Sequence, residues 1–298
     1  VGALIAPISI PFIAEAFGWE MAFIIIGALG FVWMGFWIFV YDKPEKHPKV
    51  NEAELAYIQQ DTLADSKLEG YVPETTTKVS LMDCFKYKQT WAFAFGKFMT
   101  DGVWWFFLFW TPAYLSSVYN MDSTQAAFPL FILYVITLLS IFGGWLPTYF
   151  VEKKGMNPYE GRMKAMLIFA FFPLLALLAQ PLGHYTYWLP VIFIGIALAA
   201  HQSWSANIFT TVGDMFPKKA IATVTGIGGL AGGLGSTLIN KGSGVLFDYS
   251  KETNMEFMGF HGIEGGYFII FSICSVCYLI GWSVMKFLVP KYSPINDL

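Results

Sequence analysis

The fold is decided by residues 188–212, which read WLPVIFIGIALAAHQSWSANIFTTV. This stretch is mostly apolar, and it is long enough to cross a bilayer, which takes about 20 helical residues. The polar run HQSWSAN at residues 201–207 lies inside it. Hydrocarbon contains no water to satisfy an imidazole, an amide or a hydroxyl, so these groups stay there only when other groups partner them. The stretch therefore predicts a membrane helix that carries a functional site.

The composition indicates lipid as the main solvent. Of the 298 residues, 56% are hydrophobic and 13% are charged, whereas soluble domains carry roughly 25% charged residues. The formal charge of −3 is small, and no basic run with interleaved aromatic residues suggests a nucleic-acid surface. We expect the lipid bilayer as a partner and no nucleic acid.

Apolar windows of membrane length recur along the chain and predict an all-α membrane protein with seven whole spans and one partial span. They cover residues 1–17, 20–41, 91–119, 126–150, 163–182, 188–212, 221–246 and 265–288. The chain begins with Val1 inside the first window, so we expect a fragment that is truncated at its N-terminus.

One hydrophilic stretch, residues 42–90, separates the windows into two groups. It contains the run NEAEL from Asn51, which predicts an N-capped helix on the membrane surface. We interpret residues 1–41 as the end of a first helical bundle, 42–90 as a cytoplasmic linker and 91–298 as a six-helix second bundle.

The lysines and arginines of the short loops predict the orientation, because such residues accumulate on the cytoplasmic side. The loop near Asn120 contains none, whereas the next loop contains Lys153, Lys154, Arg162 and Lys164. Lys241 and Lys251 weaken this pattern without reversing it. The linker and the C-terminus are therefore expected in the cytoplasm.

Other chemistries find little support. Cys274 and Cys277 form a C-x-x-C inside an apolar helix without a second ligand pair, which favours helix packing over a metal or redox site. No nucleophile–base set points to a membrane enzyme or scramblase, and the linker is too short for an appended sensor domain. We expect a protein that is not an enzyme and has no metal or cofactor.

The run GIGGLAGGLG at residues 226–235 contains a literal G-x-G-x-x-A. A dinucleotide site would need a preceding strand, which this sequence does not predict. Small residues four apart instead allow membrane helices to approach closely. We therefore expect the pairs Gly228/Gly232 and Gly229/Gly233 to pack against other helices.

Lys97 and Asp101 are four residues apart and share one face of their helix. A rise of 1.5 Å per residue places them about 10 and about 16 Å into the membrane. Two interpretations remain open: a self-neutralising ion pair, or a pair that orients a polar solute or takes part in gating or coupling. Trp105 follows on this helix and is either packing or a face on which a sugar ring stacks.

The polar run at residues 201–207 also has two interpretations. His201 is either a satisfied core histidine or a ligand of the solute. Ser203, Trp204 and Asn207 fall on one side of a helix, which predicts a strip that faces a lumen. Asp214 lies where the helix leaves the membrane and is interpreted as a helix-end or gate contact.

Several segments together resemble the major facilitator transporters, in particular the anion:cation symporters and, among these, bacterial hexuronate transporters. They are FGWEMAFIIIGALG at residues 17–30, WWFFLFWTPAYL at 104–115, AHQSWSAN at 200–207, and DMFPKK at 214–219 followed by the glycine run. The resemblance implies a two-bundle fold of about twelve helices, of which this chain would lack roughly the first four and part of the fifth.

The resemblance also implies site residues. The substrate strip of the tenth helix falls on His201, Ser203 and Trp204, and a polar contact of the eleventh helix falls on Thr225, where some sugar-acid relatives carry asparagine. The carboxylate-binding arginine and the proton-coupling acids of relatives belong to helices absent from this chain, so neither role is assigned.

We therefore predict a proton-coupled symporter of the bacterial inner membrane that takes up a sugar-acid anion with protons by alternating access. A hexuronate such as glucuronate or galacturonate is the expected substrate, and the protein is expected to be a monomer. The alternative is another organic-anion symporter, of the galactonate, tartrate or phthalate type.

Overall fold

A computed structural model of the protein describes residues 2–66, 79–296 and 298. The part of the predicted linker at residues 67–78 lies outside the described residues. Twelve helices, two of them continued by 3₁₀ segments, and two short strands follow one another in the described parts. They are α1 (Gly2–Phe17), α2 (Trp19–Val40), α3 (Glu52–Ser66), α4 (Leu81–Cys84), α5 (Lys88–Tyr119), α6 (Ser123–Thr137) with a 3₁₀ segment (Leu138–Ile141), α7 (Phe142–Lys154), α8 (Pro158–Phe171) with a 3₁₀ segment (Phe172–Leu178), α9 (Ala179–Gly183), α10 (Trp188–Met215), α11 (Lys218–Glu252), β1 (Glu256–Phe257), β2 (Phe260–His261) and α12 (Ile263–Leu288).

Six helical stretches among the described residues are long and apolar enough to cross a membrane. They are Trp19–Val40, Ser123–Lys154, Pro158–Gly183, Trp188–Met215, Lys218–Glu252 and Ile263–Leu288. The helix α5 has 32 residues but is not among the six, and it carries Lys97 and Asp101. Each predicted window coincides with a helix or with a helix continued through a 3₁₀ segment, so the prediction of an all-α membrane fold is confirmed.

The chain divides into two compact units, one of residues 1–11 and 79–298 and the other of residues 12–78. In the second unit, α3 begins after Asn51, whose side-chain Oδ1 accepts a hydrogen bond of 2.8 Å from the backbone N–H of Glu54. The predicted N-capped helix is confirmed, because a capping oxygen satisfies one of the free N–H groups of the first turn.

The first unit is a bundle in which α5 packs along α11, α12 and α10. Glycines allow the close approach of α5 and α11: a Cβ on Gly102 would lie 3.0 Å from the carbonyl oxygen of Gly235. A Cβ on Gly228 would overlap the ring of Phe93 on α5. This confirms the predicted packing role of Gly228 and its partner Gly232.

The predicted helix packing was wrong for the neighbouring pair, Gly229 and Gly233. Cβ positions built on Gly229 and Gly233 meet no heavy atom within 4 Å among the described residues. Each residue of a helix is turned about 100° from the one before it. The two pairs therefore lie on different faces of α11, and only the face of Gly228 and Gly232 touches α5.

Pro147 explains a local feature of the helix α7. Proline has no N–H, so the carbonyl of the residue four positions earlier loses its helical hydrogen bond. That residue is Gly143, and its carbonyl accepts a hydrogen bond of 2.7 Å from Nδ2 of Asn207 on α10. A Cβ on Gly143 would lie 2.6 Å from Cα of Ser203, so only glycine fits where the two helices cross.

Candidate functional site

The centre of the candidate site is an ion pair within α5. Nζ of Lys97 lies 2.7 Å from Oδ2 of Asp101. The side chain of Lys97 is 5% exposed and that of Asp101 is 16% exposed. The predicted pairing across one turn is confirmed, and the pair lies among apolar helices where an uncompensated charge would be costly.

Two other helices complete the surroundings of this pair. Nζ of Lys97 lies 4.1 Å from the ring centroid of Phe209 on α10, which is within the range of a cation–π interaction. The helix α11 presents Gly232 to Asp101, and a Cβ there would overlap Oδ2 of the carboxylate. The ammonium group is therefore held by a carboxylate and an aromatic ring, and the carboxylate fits because its neighbour has no side chain.

A group of aromatic side chains lies about one turn beyond Asp101 and about two turns beyond Lys97 along α5. The ring of Trp104 is stacked on His201 of α10, with centroids 5.0 Å apart and planes 20° apart. Nδ1 of His201 lies 2.6 Å from the hydroxyl of Tyr278 on α12, and this hydroxyl donates to the carbonyl of Thr100 over 3.4 Å. Both bonds form together when Nδ1–H donates to the tyrosine oxygen. Nε2 then remains as the acceptor of a neutral imidazole, and it has no hydrogen-bond partner among the described residues.

Trp204 packs against this aromatic group from the interior of the bundle. Its side chain is fully buried and packs edge-on against Tyr278, with centroids 5.6 Å apart. Its Nε1–H has no hydrogen-bond partner among the described residues. Buried polar groups are normally satisfied, so an unpaired indole N–H beside a histidine and a tyrosine is a notable feature.

The predicted strip of Ser203, Trp204 and Asn207 facing a lumen is not formed. Oγ of Ser203 donates to the carbonyl of Ala199 over 3.0 Å, and Nδ2 of Asn207 donates to the carbonyls of Gly143 and Ser203. These two side chains face α7, whereas Trp204 faces α12. The correction has a simple cause: successive residues of a helix diverge by about 100°, and a deeply packed helix buries several of its faces.

Trp105 and Thr225 occupy less buried positions. Trp105 is 38% exposed and stacks on Phe109 at 5.4 Å. It lies one turn beyond Asp101 and thus on the same side of α5. Thr225 is half-buried, and it shares a face of α11 with Gly228 and Gly232, which follow three and seven positions later.

Asp214 ends α10 in a second ion pair. Nε and Nη2 of Arg162, near the start of α8, donate to its two carboxylate oxygens over 2.6 and 3.4 Å. The hydroxyl of Tyr292 donates to the Asp214 carbonyl over 3.1 Å, and the N–H of Ile295 donates to the carbonyl of Met215 over 2.8 Å. Asp214 thus joins α8, α10 and the C-terminal segment, as a helix-end contact does.

Sequence reasoning missed several members of the site. Tyr278 and Phe209 lie in apolar runs where nothing distinguishes them from packing residues. Arg162 appeared in the sequence only as a loop charge, and its pairing with Asp214 joins residues that are 52 positions apart. Spacing within one helix cannot reveal these contacts, since each of them joins two different helices.

The sequence matches a known protein family. The sequence profile of the Major Facilitator Superfamily matches residues 1–239. The chain is 28% identical over 253 residues to the hexuronate transporter of Escherichia coli (strain K12), covering 83% of this chain and 56% of that protein. It is 29% identical over 247 residues to the D-galactonate transporter of Escherichia coli O6:H1, covering 80% and 55%.

A third relative is the probable galactarate/D-glucarate transporter of Bacillus subtilis (strain 168). It is 26% identical over 250 residues, covering 78% of this chain and 49% of that protein. The chain thus spans about half the length of the curated relatives it matches.

Proposed function

Because the chain belongs to the Major Facilitator Superfamily, we propose that it forms part of a symporter that carries a sugar acid together with protons. The relatives above are named hexuronate transporter, D-galactonate transporter and probable galactarate/D-glucarate transporter, and the solutes in these names are all carboxylated sugars. We propose a hexuronate such as glucuronate or galacturonate as the substrate, and the inner membrane of a bacterium as the location of this multi-pass membrane protein.

The buried ammonium group of Lys97 carries this proposal. An anionic sugar that leaves water needs a cation for its carboxylate and an apolar surface for its ring. Lys97 supplies the first, and Trp105 supplies an exposed indole face on the same helix, two turns away. This combination favours an anionic sugar over a neutral sugar or a purely apolar solute.

The remaining residues have supporting parts in the proposal. Nε2 of His201 accepts a hydrogen bond from a sugar hydroxyl, and the hydroxyl of Thr225 offers a further polar contact from α11. Trp204 holds Tyr278 and, through it, the orientation of His201. Ser203 and Asn207 act from behind the site, since their hydrogen bonds fix α10 against the 3₁₀ segment Leu138–Ile141 and against α7.

Alternating access completes the mechanism. We propose that residues 1–41 end a first bundle, that 42–90 is a cytoplasmic linker and that 91–298 form a second bundle. Rocking of two bundles about a midplane site exposes the substrate to one side of the membrane at a time. The Arg162–Asp214 pair would hold the cytoplasmic ends of α8 and α10 together during this motion, and a monomer suffices for it.

Uptake into proteoliposomes tests the proposal. The whole protein should accumulate labelled glucuronate when a proton gradient is imposed, and a protonophore should abolish the accumulation. Lys97→Gln should abolish uptake, whereas Lys241→Gln, which changes an exposed lysine of α11, should not. Competition by galactonate, tartrate and phthalate ranks the alternative substrates. Equal uptake of neutral glucose would contradict the sugar-acid assignment.

A further inference from the structure

The Lys97–Asp101 pair is electrically neutral as it stands. Its ammonium and carboxylate are 2.7 Å apart, and Lys97 is the only hydrogen-bonding partner of the Asp101 carboxylate among the described residues. Around Asp101, α11 offers the side-chain-free Gly232. Because one ionic contact holds the two residues together, another charged group can replace either residue in the pair.

We propose that the carboxylate of the substrate replaces Asp101 on the ammonium group of Lys97, and that the displaced Asp101 takes up one proton. This inference rests on the proposed function and adds to it a proton-carrying residue in this bundle, besides the coupling acids that the resemblance places on helices outside this chain. It also explains how an anion and a proton can bind to the same bundle in a fixed ratio.

The geometry favours Asp101 as the member that leaves. Its side chain is three times as exposed as that of Lys97, and it lies on the side of α5 that also carries Trp105. Lys97 is held in addition by the ring of Phe209. An anion that stacks on Trp105 therefore reaches the ammonium group from the side on which Asp101 now lies.

Charge balance favours uptake of a proton. Before binding, the described residues at this site hold one positive and one negative charge. If the substrate carboxylate entered and Asp101 stayed ionised, one net negative charge would remain in a poorly solvated site. When the carboxylate of Asp101 combines with one proton to form the acid, the site again holds one ammonium and one carboxylate, which now belongs to the substrate. No bond other than this O–H forms or breaks.

Among the described residues, the other titratable groups that interact electrostatically with the pair are His201 on α10 and Tyr278 on α12, which are hydrogen-bonded to each other. The part of α11 that faces Asp101 contributes Gly232 and no charge. His201 is therefore the competing proton carrier, and the experiment must separate it from Asp101.

Binding of glucuronate to the whole purified protein, measured by calorimetry at pH values between about 5.5 and about 8.5, makes this separation. In the wild type, Kd should rise about tenfold for each pH unit wherever free Asp101 is ionised, because one proton binds with each anion. Asp101→Asn should still bind glucuronate but with a nearly constant Kd. Asp248→Asn, which changes an exposed acid of α11, should keep the wild-type slope.

A spectroscopic measurement covers the case in which Asp101→Asn folds poorly. Glucuronate should produce the infrared C=O band of a protonated carboxylic acid in the wild type, and the conservative variant Asp101→Glu should shift that band. A band that does not respond to Asp101→Glu would overturn the inference.

Two further outcomes are decisive. The pH dependence of Kd could persist in Asp101→Asn and disappear in His201→Gln. That result would assign the proton to His201 and overturn the inference, while leaving the proposed function intact. Failure of the wild type to bind any sugar acid at any pH would overturn the proposed function, and this inference with it.

Discussion

Gly232 of α11 leaves open the space that the carboxylate of Asp101 on α5 occupies. A Cβ built on Gly232 would overlap Oδ2 and would lie 2.9 Å from Cγ of Asp101. The two helices approach closely at this level, because Gly102 and Gly235 also meet there. The position of the buried carboxylate thus depends on a missing side chain in a neighbouring helix.

Gly232→Ala should therefore push Asp101 off Lys97. Stranding a charge at membrane depth costs a few kcal/mol, so we expect uptake to fall by about tenfold or more. The matched control is Gly233→Ala, whose new methyl group meets no described atom within 4 Å and should leave uptake unchanged. Both variants are compared by proteoliposome uptake at equal membrane level. Equal uptake by the two would show that the carboxylate has room to move.

Asn207 is expected to act through stability, since it satisfies the carbonyl of Gly143 that Pro147 leaves free. Asn207→Leu should lower the free energy of unfolding by about 1–3 kcal/mol by leaving this carbonyl unpaired. In a Pro147→Ala background, the restored N–H can take over, and the same substitution should cost clearly less. Denaturant titration of all four proteins of the cycle measures this. Equal costs in both backgrounds would show that Asn207 stabilises the fold through contacts other than the Gly143 carbonyl, such as its hydrogen bond to the carbonyl of Ser203.

Trp204 can be tested by separating the volume of its ring from its N–H. Trp204→Ala should destabilise the protein by about 3–5 kcal/mol, because it opens a cavity beneath Tyr278. Trp204→Phe keeps most of the volume, removes the unpaired donor, and should transport nearly as well as the wild type. If the phenylalanine variant melts normally yet fails in uptake, the indole N–H itself contacts substrate or an essential water.

The stability of the protein should depend on pH through Asp122, which caps the start of α6. The carboxylate of Asp122 accepts two hydrogen bonds of 2.7 Å, one from the backbone N–H of Gln125 and one from the hydroxyl of Thr124. These bonds lower the pKa of Asp122 below its usual value of 3.8. The ionised form is thus favoured in the folded state, so its stabilising effect is complete above the usual pKa and is lost as the pH falls through the lowered one.

The melting temperature of Asp122→Asn, which caps without titrating, should accordingly lie below that of the wild type at neutral pH. The difference should shrink once the pH falls below 3.8, the usual pKa of an aspartate. A difference that stays constant down to the lowest pH at which the protein remains soluble would show that the ionised cap contributes nothing.

The orientation is open to a direct test with reporter fusions. A fusion at Lys49, in the hydrophilic stretch, should report the cytoplasmic side, and a fusion at Asn120, between α5 and α6, should report the opposite side. The reason is the excess of lysine and arginine around the connection of α7 and α8, at Lys153, Lys154, Arg162 and Lys164. Reports from the same side would refute the proposed topology.

The sequence by itself determined the features that arise within one or two helical turns. Apolar length predicts where helices cross the membrane, an oxygen at Asn51 starts α3, and four-residue spacing brings Lys97 to Asp101. These contacts follow from the fixed geometry of the helix, which any chain with these residues adopts. They therefore needed no knowledge of the neighbouring helices.

Only the tertiary structure decided which face of each helix is buried. In a membrane, lipid is as apolar as the protein interior, so the pattern along α10 does not distinguish a face packed on protein from one that meets lipid or an open cleft. For this reason Ser203 bonds to the 3₁₀ segment Leu138–Ile141 and Asn207 bonds to α7. His201 likewise bonds to Tyr278, which is 77 positions away. The buried faces follow instead from how the helices pack on one another, which depends on glycines and prolines such as Gly232 and Pro147.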